Sequence, residues 1–138
     1  LRTRCIVTTE EKTIVVSGCL ITIREKNISD LENDYKWRLD PELASFDASF
    51  PIRSSFQSYK RMMQSQFDYP EQKRRTYAIE DKLTSLHVGN IMYYGYDSAK
   101  NETEIGITIG DRESWSKGFG TETISLFVEY LFSDHFFI

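Results

Sequence analysis

The stretch "ETEIGITIGDRESWSKGFGTETI", residues 102–124, joins two different periodicities. In its first part Ile105, Ile107 and Ile109 alternate with Glu104, Gly106, Thr108 and Gly110. A period of two is a strand with an apolar wall on one face. The other face carries two glycines and is a shallow trough, suited either to a bound ligand or to a tightly packed helix. From Phe119 or Gly120 onward the period changes, and Ile124, Phe127, Val128, Leu131 and Phe132 recur at three and four, the spacing of an amphipathic helix. Residues 111–117 form the loop between them. The first amides of a helix lack intrahelical partners and stand at the positive end of its dipole, which favours an anion. Gly118 and Gly120 remove the Cβ atoms that would hold a phosphate away, and Lys117 adds a charge. Glu122 competes for the same dipole unless it points away along the helix.

Upstream, residues 13–17 and 19–25 are β-branched segments around Gly18, two short strands with a tight turn. Ser29 and Asp30 offer helix-capping chemistry to a helix with Leu31, Tyr35 and Leu39 on one face, ended at Asp40-Pro41. Residues 46–52 are a loop. Ser54 and Ser55 precede a second helix with a core stripe of Phe56, Tyr59, Met62, Met63 and Phe67. Strands over 76–80, 86–96 and 103–109 follow, joined by short polar turns. Short turns between consecutive strands mean antiparallel pairing, so the expected class is α+β, a mixed but mainly antiparallel sheet flanked by helices. A dinucleotide-binding reading of the glycines fails because no βαβ unit surrounds them.

The chain of 138 residues reads as a single domain over 1–138, without linker, repeat or low-complexity segment. Its net charge of −4 argues against a nucleic-acid partner, and the basic run Lys73-Arg74-Arg75 reads as a solvated strand edge. Cys5 and Cys19 are too few for a disulfide framework, and His87 and His135 have no ligand at metal spacing, so no metal is expected. No run has the ~18 apolar residues of a spanning helix. No membrane partner and a cytoplasmic location are the expectations. The chain opens on Leu1 and closes on the apolar Phe136-Phe137-Ile138, the expected start of a further strand.

The segment "GITIGDRESWSKGFGTETI" closely resembles the acetyl-CoA-binding motif of GNAT-family N-acetyltransferases, nearest the ribosomal-protein N-terminal acetyltransferase branch. That branch has W-x-K-G-x-G-T-E where this chain has residues 115–122. "ITIREKNISDLENDYKWRLDPEL" and "HVGNIMYYGYD" resemble the first strand and helix and the central strand of the family. The resemblance implies acetyl-CoA as co-substrate, with main-chain groups of Thr108, Ile109 and Gly110 along its pantetheine arm. The amides of Ser116, Lys117, Gly118, Phe119, Gly120 and Thr121 would cradle its pyrophosphate, beside Trp115. It implies acetyl transfer to a primary amine, either a protein N-terminus or a small amine. Glu104 is the candidate base, with a salt-bridged strand carboxylate as its alternative, and Thr108 a candidate for orienting water. Trp37, Arg38 and residues 46–53 are candidate acceptor contacts. Family members continue with a strand, a helix and a hairpin, a C-terminal portion expected to be missing here along with the tyrosine acid it supplies. The sheet edge left open invites a homodimer. The alternative is an inactive relative that binds acyl-CoA or partner proteins.

Overall fold

The computed structural model describes residues 13–46 and 50–133. Strands β1 (Ile14–Ser17) and β2 (Ile21–Glu25) lead into α1 (Leu31–Leu39), α2 (Pro41–Phe46) and α3 (Phe56–Asp68). Strands β3 (Arg75–Asp81), β4 (His87–Asp97) and β5 (Glu102–Ile109) follow, and α4 (Phe119–Ser133) closes the described chain. The five strands lie in the order β1-β2-β3-β4-β5, every pair antiparallel. This is the α+β architecture expected from the short turns. The expected strand at 136–138 lies outside the described residues, as do Cys5 and His135.

Alternation within each strand sorts the sheet into two faces. One face presents Ile21, Ile23, Tyr77, Ile79, Ile91 and Tyr93 to α4, which buries Phe119, Phe127 and Leu131 against them. Ile105, Ile107 and Ile109 pack on this cluster, as their spacing predicts. Each fully buried isoleucine contributes ~1.5–3 kcal/mol of transfer free energy. The other face carries Arg24, Glu80 and Asn90 and lies under α1 and α3, which meet through Tyr35, Phe56 and Tyr59 with ring centroids 5.4 Å apart.

Three expectations need correction, and the end of the first helix carries an addition. The helix ends at Asp40-Pro41 as expected, with Asp40 extended before the proline, and Pro41 then opens α2. A proline in the first turn forfeits no hydrogen bond, and Asp40 Oδ1 accepts from the Glu42 amide at 2.9 Å. Cys19 and Leu20 belong to the β1–β2 turn, which the Gly18 amide closes on the Ile21 carbonyl at 2.8 Å. The buried stripe of α4 is Phe119, Thr123, Phe127 and Leu131, while Ile124 and Phe132 are 42% and 60% exposed. On α1 the buried residues are Leu31 and Asp34, and Leu39 is exposed. Both helices are turned relative to their apolar spacing, because one neighbouring layer, not the whole apolar arc, decides which side is covered.

Candidate active site

The loop after β5 is built from local polar contacts. Asp111 accepts from the Glu113 amide and, at 2.8 Å, from the Ser114 hydroxyl, forming a 3-10 turn over Arg112–Ser114. The Trp115 indole N–H then donates to the Ile109 carbonyl at 2.7 Å, with the Arg112 guanidinium 5.3 Å from the ring centroid. Arg112 is itself held by Asp40 and Glu42 at the start of α2. Trp115 is therefore a brace that ties the loop to the end of β5.

Beyond this brace the backbone takes left-handed values at Ser116 (φ 64°) and Gly118 (φ 83°). The amides of residues 116–121 donate to no protein acceptor among the described residues. A Cβ built on Gly120 would meet nothing within 4 Å, so space remains open beside those amides. Phe119 gives only its backbone to this cradle, its ring being in the core. Lys117 is exposed at the rim.

Glu122 does not occupy the cradle. Its carboxylate turns back to the β1–β2 turn and accepts the amides of Cys19 (2.5 Å), Leu20 (2.8 Å) and Ile21 (3.2 Å). Gly18 permits this, since a Cβ there would stand 2.5 Å from Glu122 Oε1. Through these bonds α4 is latched to the β1–β2 turn at the far edge of the sheet.

Strand β5 is the last strand of the sheet among the described residues. The Gly110 amide donates to the Val88 carbonyl at 2.9 Å, so the even-numbered residues of the ladder turn their polar groups to β4. Those of Ile107 and Ile109 turn outward, and the Ile109 carbonyl is already taken by Trp115. Of the main-chain contacts expected at Thr108, Ile109 and Gly110, only the Ile109 amide lies on the open edge, joined by both groups of Ile107.

The two glycines of the trough differ in what faces them. At Gly110 a Cβ would lie 2.0 Å from Trp37 Cδ2, so this glycine seats the indole of α1. At Gly106 the face opens into a cavity of about 890 Å³ between the sheet, α1 and α3. Gly106 and Thr108 stand on its floor beside their cross-strand partners Met92 and Asn90. Tyr59, Met62, Met63 and Phe67 line it; of the stripe expected as core on α3, Tyr59 is buried and Phe56 packs on Tyr35, while Met62 is half exposed on the cavity wall. Of the expected acceptor contacts, Trp37, Arg38 and Phe50 line the cavity, Arg53 does not, and Phe46 packs on Trp115 at 6.1 Å between centroids. Glu104 is exposed beyond the lining, beside its partner Tyr94, whose hydroxyl its charge and hydrogen bond push above the ordinary phenol range.

The innermost part of the cavity is ionic. Lys26 pairs with Asp34 and donates to Asn90 Oδ1 at 2.7 Å, and Asn90 Nδ2 donates to Asp34 Oδ1 at 2.7 Å. Behind them Arg24 makes paired 2.8 Å bonds to Asp30 and a 2.6 Å bond to Glu80. His87 Nε2 lies 2.9 Å from Asn90 Oδ1, a contact that requires the proton on Nε2. Burial lowers the Lys26 ammonium, and burial together with the Lys26 charge lowers His87. Burial raises the Asp30 carboxyl, but Arg24 and His87 outweigh it and hold the group at about 2. None of this cluster was among the expected site residues. Its signal is present in "ITIREK", where Arg24 and Lys26 take up the inward alternation, and in Asp30 and Asp34, one helical turn apart.

The sequence profile of the acetyltransferase (GNAT) domain family matches residues 21–137. The chain belongs to this family. No curated protein sequence matches it significantly. Among solved structures it is similar to the spermidine N-acetyltransferase of Vibrio cholerae in complex with CoA and spermine, at 19% identity and a TM-score of 0.72. That alignment covers 83% of this chain and 64% of the other, so the chain spans less than two thirds of that relative. A ribosomal L7/L12 alpha-N-protein acetyltransferase aligns at 12% identity and a TM-score of 0.73, covering 93% of this chain and 69% of its own. A GNAT-family acetyltransferase from Bacillus anthracis aligns at 15% and 0.69, covering 88% and 68%.

Proposed function

We propose that this chain binds acetyl-CoA and acetylates a primary amine. The observation that carries the reading is the run of amides over residues 116–121 with no protein acceptor among the described residues, in a backbone that is left-handed at Ser116 and Gly118 and open at Gly120. Acetyl-CoA supplies an acetyl group already activated as a thioester. The pyrophosphate fits the amide cradle, which offers hydrogen bonds and the α4 dipole with Glu122 withdrawn. The amide-bearing pantetheine arm fits the polar groups of Ile107 and Ile109 at the edge of β5, as an added strand would. An acceptor ammonium with a pKa near ~10 must lose a proton before it can attack. Glu104, exposed beside Tyr94 at the margin of the cavity, remains the candidate to accept that proton, and Thr108 on the cavity floor the candidate hydroxyl to orient water.

The acceptor class is a small amine or a protein N-terminus, the two kinds named for the relatives above. We place the chain with its co-substrate in the cytoplasm. A second copy of the chain pairing along β5 would use the same edge groups as pantetheine, so dimerisation and acetyl-CoA binding are expected to compete. Isothermal titration with acetyl-CoA tests the reading first, and absence of binding sinks it. Thiol release from acetyl-CoA across a panel of alkylamines, polyamines and N-terminal peptides then identifies turnover and acceptor.

A further inference from the structure

The ion pair at the base of the cavity has no evident structural need. Burying Lys26 and Asp34 costs desolvation, and an apolar pair of similar volume would hold α1 to β2 as well or better. Both side chains nevertheless line the cavity beside Asn90, whose cross-strand partner is Thr108 of β5. The other carboxylates lining the cavity are Glu25, which is engaged by Arg75 at 3.0 and 2.7 Å, and Glu71, which is exposed. Asp34 is therefore the buried carboxylate of the lining among the described residues. A carboxylate has about four lone-pair sites, and Asp34 uses one on each oxygen, toward Lys26 and Asn90. Capacity for further donors remains on both oxygens. Tyr59, Met62, Met63 and Phe67 supply an apolar share of the same lining, a surface suited to methylene groups.

We propose that Asp34, held between Lys26 and Asn90, anchors the acceptor's ammonium group, and that the methylene groups carrying that amine lie along the apolar side of the cavity. The proposal rests on the acetyl-transfer reading and narrows it to an amine on an apolar stem, as in an alkylamine or a lysine-like side chain. Asp34 is then a specificity-determining residue. Lys26 sets the strength of the anchor, since its charge shares the carboxylate with the incoming ammonium and weakens it.

The test uses the full chain, n-hexylamine as probe and n-hexanol as its uncharged control, followed through the Asn90 side-chain amide by ¹H–¹⁵N NMR. A saturable shift with hexylamine and none with hexanol is expected. Asp34→Asn should weaken hexylamine binding about tenfold, the scale of losing one charged hydrogen bond, whereas Lys26→Met should leave it equal or tighter. If Asp34→Asn does not fold, the apolar pair Lys26→Met with Asp34→Leu removes the anchor without an orphaned charge and should abolish the shift. No shift in the native chain, an equal shift with hexanol, equal weakening by both single substitutions, or binding retained in the double variant each overturns the proposal. Acetyl-CoA is titrated in parallel. Hexylamine binding without acetyl-CoA binding refutes acetyl transfer and leaves the anchor standing.

Discussion

The cradle after β5 and the ionic floor of the cavity are built in opposite ways. The cradle is backbone: free amides over residues 116–121, a left-handed glycine and an open one, all within one turn of sequence. The floor is side chain: Lys26, Asp34, Asn90 and His87 come from three separate parts of the chain and meet only because β2, α1 and β4 are stacked. The difference teaches where each is fragile. The cradle fails through added bulk, which leaves the fold intact, whereas the floor fails through lost charge balance, which threatens the fold itself.

The largest effect is expected behind the floor. Arg24→Ala removes the guanidinium that neutralises the buried Asp30 and Glu80 carboxylates, and urea denaturation should show a loss of ~3–5 kcal/mol. A loss near zero would mean that water reaches these groups and that the two regions are less different than described. Glu122→Ala comes next. It frees the amides of Cys19, Leu20 and Ile21 and should cost ~1.5–3 kcal/mol by the same measurement, because the acceptor is ionised.

Gly120→Trp should separate binding from stability. Its side chain enters the open space beside the cradle, so calorimetry should show acetyl-CoA affinity falling by at least tenfold while the melting temperature changes little. Equal loss of both would show that Gly120 serves the fold and not the ligand.

The floor also has a pH signature. Burial and the neighbouring Lys26 depress His87, so the folded state disfavours its charged form while Asp30 and Asp34 partly offset this. A depressed pKa contributes stability that is complete above the unfolded value near ~6.5 and lost as pH falls through it. Thermal melts from pH 7.5 to 5 should show a decline that His87→Gln flattens. Asp30, held at about 2, adds a second loss only below pH ~4, as its carboxylate is protonated. Glu104→Gln is expected to have the smallest effect on stability, within ~0.5 kcal/mol because the residue is exposed, and a marked effect on kcat. Unchanged kcat at saturating amine would remove Glu104 from the chemistry.

Periodicity and turn chemistry were enough to place the strands and α4, because a two-residue alternation and a three-to-four spacing are statements about a single element. Asp40-Pro41 ended α1 as read, but the helix that Pro41 opens was not legible. The residue that stops one helix is equally suited to the first turn of the next, and only the Asp40 cap decides between the two. The Phe and Met spacing of α3 identified a covered face but not its neighbour, which is a cavity instead of the α4 core. The buried cluster was legible only as oddities, cations in a strand and acids one turn apart, since nothing local says that Asn90 and His87 will meet them.

By itself, then, the amino-acid order determined the α+β element sequence, the isoleucine wall of β5 and the open space beside Gly120, all set by local backbone chemistry. Only the tertiary structure decided that Glu122 turns away from that space, that Gly110 seats Trp37 while Gly106 opens on the cavity, and that Asp34 lies at its base. Each of these depends on which surface arrives opposite a residue, and that is fixed by how the layers pack and not by the residue's own spacing.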